Sequence, residues 1–592
     1  MSEQAPVAAH SRHRWSIRFW VAAAVGLVTF AVFFSVLKHW FVFWDDDVFI
    51  IGNPELNPPT LAGLARIWAN PWIGYNQFFV PINYTLWWII AHFASIPGAP
   101  NTHAIFLAPA FHAINLCSHV IASICAFLIL RKLVKSDFPA AVGALFFALH
   151  PLQAEPVSWA ANMYTPLSGA LALGALLAYL SFSDAPRGFG RWIVFTLGTF
   201  CFLAALLSKP SVVLLPFIAA ALELFRGRKP RALWPLLAWL LLGAADAIVT
   251  HHVQSGNAAF HPPLWKRPFI AGDALAFYLG KVLLPFNLVP DYGRSPEHVL
   301  QSAWLWWAWL IPAATIAACW TLRKRAPWLW CGAIIFVLGV LPMLGLVPFD
   351  FQSFSTVADR YVYLSLLGAA MIVSFATQLL ASRAKEHLRG LAHVAPLAIA
   401  LALGAFTVRQ VGYWEDTGVL FHHTLEVNPH SQVAHLQLAY VLLNRGGQPE
   451  LEESLDHYQA VLDDRPHDPR LLVNIGIVLR RLGRPTSAAA YFDQAWHMDP
   501  SQVQVEYMLA DALFAAGDRR GAITAFSDVF RRQPDFVNTE IRLAQLLAQS
   551  GDTPAAIAHY KSYLRTHPTS AEARMELAHL QTTSPQAATD PR

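Results

Sequence analysis

The apolar positions of this chain do not alternate, and over most of its length they do not confine themselves to one helical face. From about residue 15 to residue 410 they run together in long blocks. A helix that crosses a bilayer needs roughly 20 apolar residues. Blocks of that kind fall at 15–37, 104–130, 138–153, 163–182, 191–208, 211–225, 233–252, 302–322, 328–347, 361–381 and 391–410. About eleven membrane spans are therefore expected. The first block follows Arg12, Arg14 and Arg18 in the manner of a signal peptide, but its core is too long and no small-residue cleavage site follows, so it reads as an uncleaved span. Two further segments, 78–95 and 270–290, read as half-buried juxtamembrane helices. After residue 411 the chain has the charged, mixed pattern of a water-soluble helical protein. The fold class expected is all-α, a polytopic membrane bundle followed by a helical solenoid.

Basic residues set the orientation, because Lys and Arg accumulate in cytoplasmic loops. With the N-terminal segment 1–14 in the cytoplasm, these groups fall inside: Arg131, Lys132 and Lys135; Arg187 and Arg191; Arg226, Arg228, Lys229 and Arg231; Arg323, Lys324 and Arg325; Arg383, Lys385 and Arg389. Every second loop is basic. Eleven spans then carry the chain outward, so the membrane domain 15–410 is followed by an extracytoplasmic domain at 411–581. The polar end, 582–592, is expected to be disordered.

That tail is periodic. Pro466, Pro500, Pro534 and Pro568 recur every 34 residues, and Gly483, Gly517 and Gly551 keep the same interval. Ala488, Ala522 and Ala556 hold one fixed phase, and Phe492, Phe526 and Tyr560 another. A 34-residue unit with small residues at a helix crossing, an aromatic in the second helix and a terminating proline is the tetratricopeptide pattern. An earlier unit starts after Asn428-Pro429. Stacked repeats of this type form a solenoid whose concave face suits protein or peptide partners.

Composition agrees with this division. Of 592 residues, 55% are hydrophobic and 14% charged, where a soluble domain is about a quarter charged. A soluble enzyme is excluded end to end. A net charge of +4 without an extended Lys/Arg run gives no nucleic-acid surface. The five cysteines all lie in apolar blocks, in no disulfide or metal spacing, and read as buried hydrophobes.

Charges that do occur in the membrane domain gather on the outer side. Asp45-Asp46-Asp47 follows Trp44 directly after the first span. Adjacent carboxylates repel and raise one another's pKa, which suits a general base; the same three fit a divalent cation or a solvated acidic turn. Glu155 follows His150-Pro151 on the same side. His112, Asn115 and His119 form a polar stripe on the second span, suited to helix–helix hydrogen bonding or to substrate contact. Lys209, Lys281, Arg294 and Arg360, the last in Asp359-Arg360-Tyr361, are isolated outer cations. They fit a phosphate leaving group or lipid headgroups.

The order of these motifs resembles the transmembrane and tetratricopeptide repeat-containing family: Trp44-Asp45-Asp46 with Asn53-Pro54, His112, Asn115 and His119, His150-Pro151 with Glu155, Ser208-Lys209-Pro210, Leu279-Gly280-Lys281, then Ala358-Asp359-Arg360-Tyr361 and the repeats. That family is similar to the type C glycosyltransferases, which use polyprenyl- or dolichyl-phosphate-linked sugars. The resemblance implies catalytic carboxylates at Asp45, Asp46 and Glu155. The outer cations Lys209, Lys281, Arg294 and Arg360 are expected to hold the donor phosphate, and Trp44, His112, Asn115, His150 and Tyr361 to line the substrate path. No further cofactor is required, although Asp45, Asp46 and Asp47 leave a divalent cation open. Pro81-Ile82-Asn83-Tyr84 departs from the family's usual stretch, and Asp47 stands where bacterial relatives often carry proline. The expectation is a bacterial inner-membrane enzyme with periplasmic repeats, moving a sugar onto a hydroxyl of exported proteins. Two other readings remain: a non-enzymatic scaffold for envelope assembly, and a lipid-diphosphate-dependent glycan ligase or polymerase.

Overall fold

The computed structural model describes residues 5–583 apart from 71–78, 97–104, 255–261, Pro348 and Val537. Most of the expected tail 582–592 lies outside the described residues, as do the first four residues. About 78% of the chain is helical. Among the described residues the strands amount to one short antiparallel pair, Ser95–Ile96 with Ile105–Phe106.

The chain divides into two compact units, Met1–Ser431 and Gln432–Arg592. In the first, seven helices among the described residues are long and apolar enough to cross a membrane: Ile17–Lys38, Ala108–Val134, Ala160–Asp184, Phe189–Leu206, Leu236–Val253, Leu366–Arg383 and Glu386–Gly412. Four shorter apolar helices, Asp137–Leu149, Pro210–Phe225, Leu305–Thr321 and Pro327–Met343, occupy the remaining expected positions. Boundaries shift locally. The block 138–153 stops being helical at Leu149, because Pro151 disfavours helix at the residue before it and His150 turns extended. The segments 78–95 and 270–290 become the helices Pro81–Phe93 and Arg267–Leu283.

Glycines let these helices approach closely. A Cβ at Gly143 would meet Ser374 Oγ at 2.0 Å and the Ala370 carbonyl at 2.5 Å, and one at Gly368 would meet the Gly332 carbonyl at 2.3 Å. Without water to drive association, such backbone proximity is what binds helices in a bilayer. The cysteines are all free; Cys331 is buried as expected, whereas Cys117 is exposed on its helix.

Contacts sort the loops into two faces. Lys132 pairs with Asp184 at 3.0 Å, Arg226 pairs with Asp184 and with Glu223, and Phe138 packs on His393. These belong to the basic loops. The loops bearing Asp46, Glu155, Lys209, Lys281 and Arg360 meet one another on the opposite face.

The first unit runs on past residue 411. The helix Thr417–Val427 belongs to it: Leu420 and Phe421 are fully buried, Phe43 donates its amide to Thr417 Oγ1 at 3.0 Å, and the Ser431 hydroxyl donates to Asp291 at 2.6 Å. Hydropathy marks where the chain leaves apolar surroundings, not where packing ends.

The second unit is a series of antiparallel helix pairs, from Gln432–Arg445 with Gln448–Asp464 to Thr539–Gln549 with Thr553–Thr566, followed by the single helix Ala571–Thr583. The periodic residues explain it. Gly483, Gly517 and Gly551 have φ of +72°, +85° and +87° with open space around them, so they are present for the left-handed turn that ends each first helix. Asp518 and Asp552 then cap the following helices by accepting the amides of Gly521 and Ala555. Ala488, Ala522 and Ala556 are fully buried, beside Phe492, Phe526 and Tyr560.

Candidate active site

The site is assembled from loops far apart in sequence, on the acidic face of the first unit. Asp46 is fully buried. Its two oxygens accept the Val42 amide at 2.8 Å and the Ala161 amide at 2.7 Å. It thereby fastens the first loop to the segment carrying Glu155. Burial pushes its carboxyl up to about 8, against the downward pull of both amides.

Asp45 differs. It is half-buried, and its carboxylate makes no hydrogen bond among the described residues. Desolvation pushes it up to about 7; the Arg360 charge opposes this and Asp47 adds to it. An unspent carboxylate titrating near neutrality is the state a general base needs. Asp47, in the first turn of the short helix Asp47–Ile51, is also raised by burial.

Facing these acids is Arg360. Its Nη1 donates to Glu155 Oε1 at 2.5 Å, and both side chains are buried. Its guanidinium lies 4.2 Å from the Phe351 ring centre, 5.0 Å from Tyr361 and 5.3 Å from Trp159. A planar cation held by rings and one carboxylate keeps donors for a further anion. Lys209 Nζ donates to Thr165 Oγ1 at 2.9 Å, and that hydroxyl donates to Asn162 Oδ1 at 2.6 Å. Burial, followed by the Arg360 charge, pushes Lys209 down to about 7. A bound phosphate would reverse this shift.

The Pro81–Phe93 helix docks beside Lys209, since Asn83 Nδ2 donates to the Ser208 carbonyl at 2.8 Å. Around this cluster the buried atoms Asn83 Oδ1, Glu155 Oε2, Trp159 Nε1 and Asn162 Nδ2 have no partner among the described residues. Unsatisfied buried groups are costly and concentrate where ligands bind.

Not every expected residue joins the cluster. Lys281 Nζ donates to the carbonyls of Phe286 at 2.6 Å and Asn287 at 3.1 Å, and Arg294 pairs with Asp273. Lys281 lies near Asp359, which accepts the Tyr292 hydroxyl at 2.7 Å, and Arg294 lies near Lys281. His112, Asn115 and His150 turn to backbone carbonyls, of Trp40 at 3.3 Å, Trp159 at 2.8 Å and Val282 at 3.0 Å. His119 bridges the Tyr363 hydroxyl and the Ala148 carbonyl. These residues anchor loops. Trp44 packs edge-on against Trp159 and Phe354, and Tyr361 lies buried against Arg360. Among the described residues no group of three or more His, Cys, Asp or Glu side chains is placed to hold a metal ion, and Asp46 has spent both oxygens on amides. Trp159, Asn162 and Thr165 join the cluster without being among the expected site residues. The available signal was a polar pair, Asn162 and Thr165, at the mouth of an otherwise apolar block.

Comparison with known proteins agrees with both halves. The tetratricopeptide repeat family profile matches residues 436–503, 507–571 and 541–580. The protein O-mannosyl-transferase Tmtc3 of Drosophila melanogaster is 24% identical over 416 residues, 61% of this chain and 44% of that one. Human TMTC3 is 21% identical over 533 residues, 81% of this chain and 55% of its own length. The chain spans about half the length of the curated relatives it matches. Among solved structures, a MamA protein is 16% identical over 26% of this chain and 82% of that one, with a TM-score of 0.25, too loose a likeness to carry an argument. The C-terminal unit is thus a tetratricopeptide-repeat domain, and the chain is homologous to the TMTC3 protein O-mannosyl-transferases.

Proposed function

We propose that this chain is a membrane glycosyltransferase that modifies proteins, moving a sugar from a polyprenyl-phosphate carrier to a Ser or Thr hydroxyl. The observation that carries the reading is one unspent carboxylate, Asp45, in the same cluster as two cations, the buried Arg360 and the half-buried Lys209. The relatives' activity supports it.

The acceptor hydroxyl gives its proton to Asp45 as its oxygen bonds to the anomeric carbon. The bond from that carbon to the phosphate oxygen breaks, and its electron pair leaves on polyprenyl phosphate. Arg360 and Lys209 neutralise the departing anion in a site with little water, where fixed charge counts most. Lys281 lends charge from beside Asp359. A phosphate leaves without a general acid, so one base suffices, and a single displacement inverts the anomeric centre. Asp46 and Glu155 hold the base and the guanidinium in place. The repeats bind the acceptor chain and, being tethered to the enzyme, raise its effective concentration. The protein sits in a bacterial inner membrane with the acidic face and the repeats toward the periplasm.

The test is intact-mass analysis of periplasmic proteins from wild-type, deletion and Asp45→Asn strains, with purified protein given polyprenyl-phosphate mannose and a Ser/Thr peptide in the presence or absence of chelator. The proposal expects a glycan mass to vanish in both mutants and transfer to survive chelation. Unchanged glycans in both strains would leave the scaffold reading standing. Loss of transfer on chelation would favour the cation-dependent one.

A further inference from the structure

The two helices Leu366–Arg383 and Arg389–Gly412 are joined by a short turn, and their facing positions include the small residues Ala376, Ala392 and Ala395. Such faces ordinarily close on each other in a membrane. Here they enclose a crevice of about 690 Å³ whose walls are apolar except for Thr377 and Arg383. Pro396, inside the second helix and on the crevice wall, supplies no amide to the residue 392 carbonyl and crowds it, which is how proline bends a helix.

The crevice has a length and a charged end. Its lining runs from Val373 to Ala384 on one helix and from Leu388 to Ala400 on the other, roughly 16–18 Å at 1.5 Å per residue. That is about half of a ~30 Å hydrocarbon core, the depth of one leaflet. Arg383 stands at the mouth, followed by Lys385 and Arg389, with Glu386 and His387 between them. Some cations of this basic face are met by the protein's own acids, as in Arg131 with Asp137, Lys132 with Asp184 and Arg226 with Glu223. Arg383 has no such partner among the described residues. The far end of the crevice reaches Phe146, whose ring packs on His150.

We infer that this crevice binds one anionic glycerophospholipid of the leaflet on the basic face, with an acyl chain along the helices and the headgroup phosphate on Arg383. The site is separate from the sugar-transfer cluster, on the opposite face, and does not depend on that reading. An apolar slot one leaflet deep, closed at one end by an aromatic and flanked at the other by unneutralised cations, complements such a lipid in shape and charge. Basic groups at a membrane surface attract acidic lipids in this way.

The full chain reconstituted in phosphatidylcholine nanodiscs with a minor share of phosphatidylglycerol, then examined by native mass spectrometry, tests this. Wild type should retain phosphatidylglycerol above its bulk proportion. Arg383→Gln should cut that preference about five-fold, the effect of one surface charge. Ala395→Leu, which fills the slot, should remove retained lipid of both kinds. Retention of both lipids in bulk proportion by wild type, or unchanged preference in Arg383→Gln, overturns the inference. Arg383 is exposed, so that variant decides the matter even where Ala395→Leu fails to fold.

Discussion

Replacing Asp47 by Asn should speed sugar transfer below neutral pH. Asp45 accepts a proton only when ionised, and burial holds its carboxyl at about 7, with Arg360 pulling it down and Asp47 pushing it up. Removing the Asp47 charge deletes the upward push, so Asp45 titrates lower and is ionised over a wider range. Two carboxylates about 7 Å apart, both half-exposed and so screened by water, repel by about 0.6 kcal/mol, or about 0.4 of a pKa unit. At pH 6 the ionised fraction of Asp45 then rises from about 9% to about 20%. The expected gain in kcat/KM is about two-fold at pH 6 and fades above pH 8. Asn keeps the shape of the first turn at Asp47–Ile51, so the fold is little disturbed. The assay is a pH–rate profile of the purified chain with polyprenyl-phosphate mannose and a Ser/Thr peptide. An acidic limb that stays put or moves upward refutes the assignment of Asp45 as base. A loss at pH 8 that added Mg²⁺ or Mn²⁺ repairs would make Asp47 a cation ligand instead.

The other expectations concern structure more than rate. Asp46→Asn should lower stability by about 2 kcal/mol, because Asn keeps one carbonyl acceptor and turns its own NH2 toward the second buried amide, whereas Asp45→Asn should melt like wild type and transfer nothing; equal melting of the two would show that Asp46 is not the fastener described. Gly169→Ala should destabilise by about 1–3 kcal/mol, since a Cβ there would lie 2.2 Å from the Tyr363 ring, and a melting curve in detergent reads it directly. A reporter fused after Gly551 should be active only in the periplasm. Activity in the cytoplasm would invert the proposed topology and with it the side on which the site opens.

The sequence by itself determined the architecture, since that depends on local or strictly periodic signals. Apolar blocks of bilayer length become helices wherever they occur, and a left-handed glycine with a buried alanine and aromatic at a 34-residue interval dictates each repeat without reference to distant residues. Charge excess is likewise a property of each loop alone, and three of the basic loops meet through Lys132, Asp184 and Arg226. The division of labour among the charges was decided only by tertiary structure. Asp45 and Asp46 are neighbours of the same type, yet only packing against Ala161 turns Asp46 inward and leaves Asp45 unspent. Nothing local distinguishes Arg360, held by Glu155 and three rings, from Arg294, consumed by Asp273. His112 and Asn115 share a helix stripe that a substrate or a loop carbonyl could equally occupy, and carbonyls from Trp40 and Trp159 occupy it. In a medium of low dielectric each polar group must find a partner. Which partner it finds is a long-range property of the fold, and the groups left over mark the site.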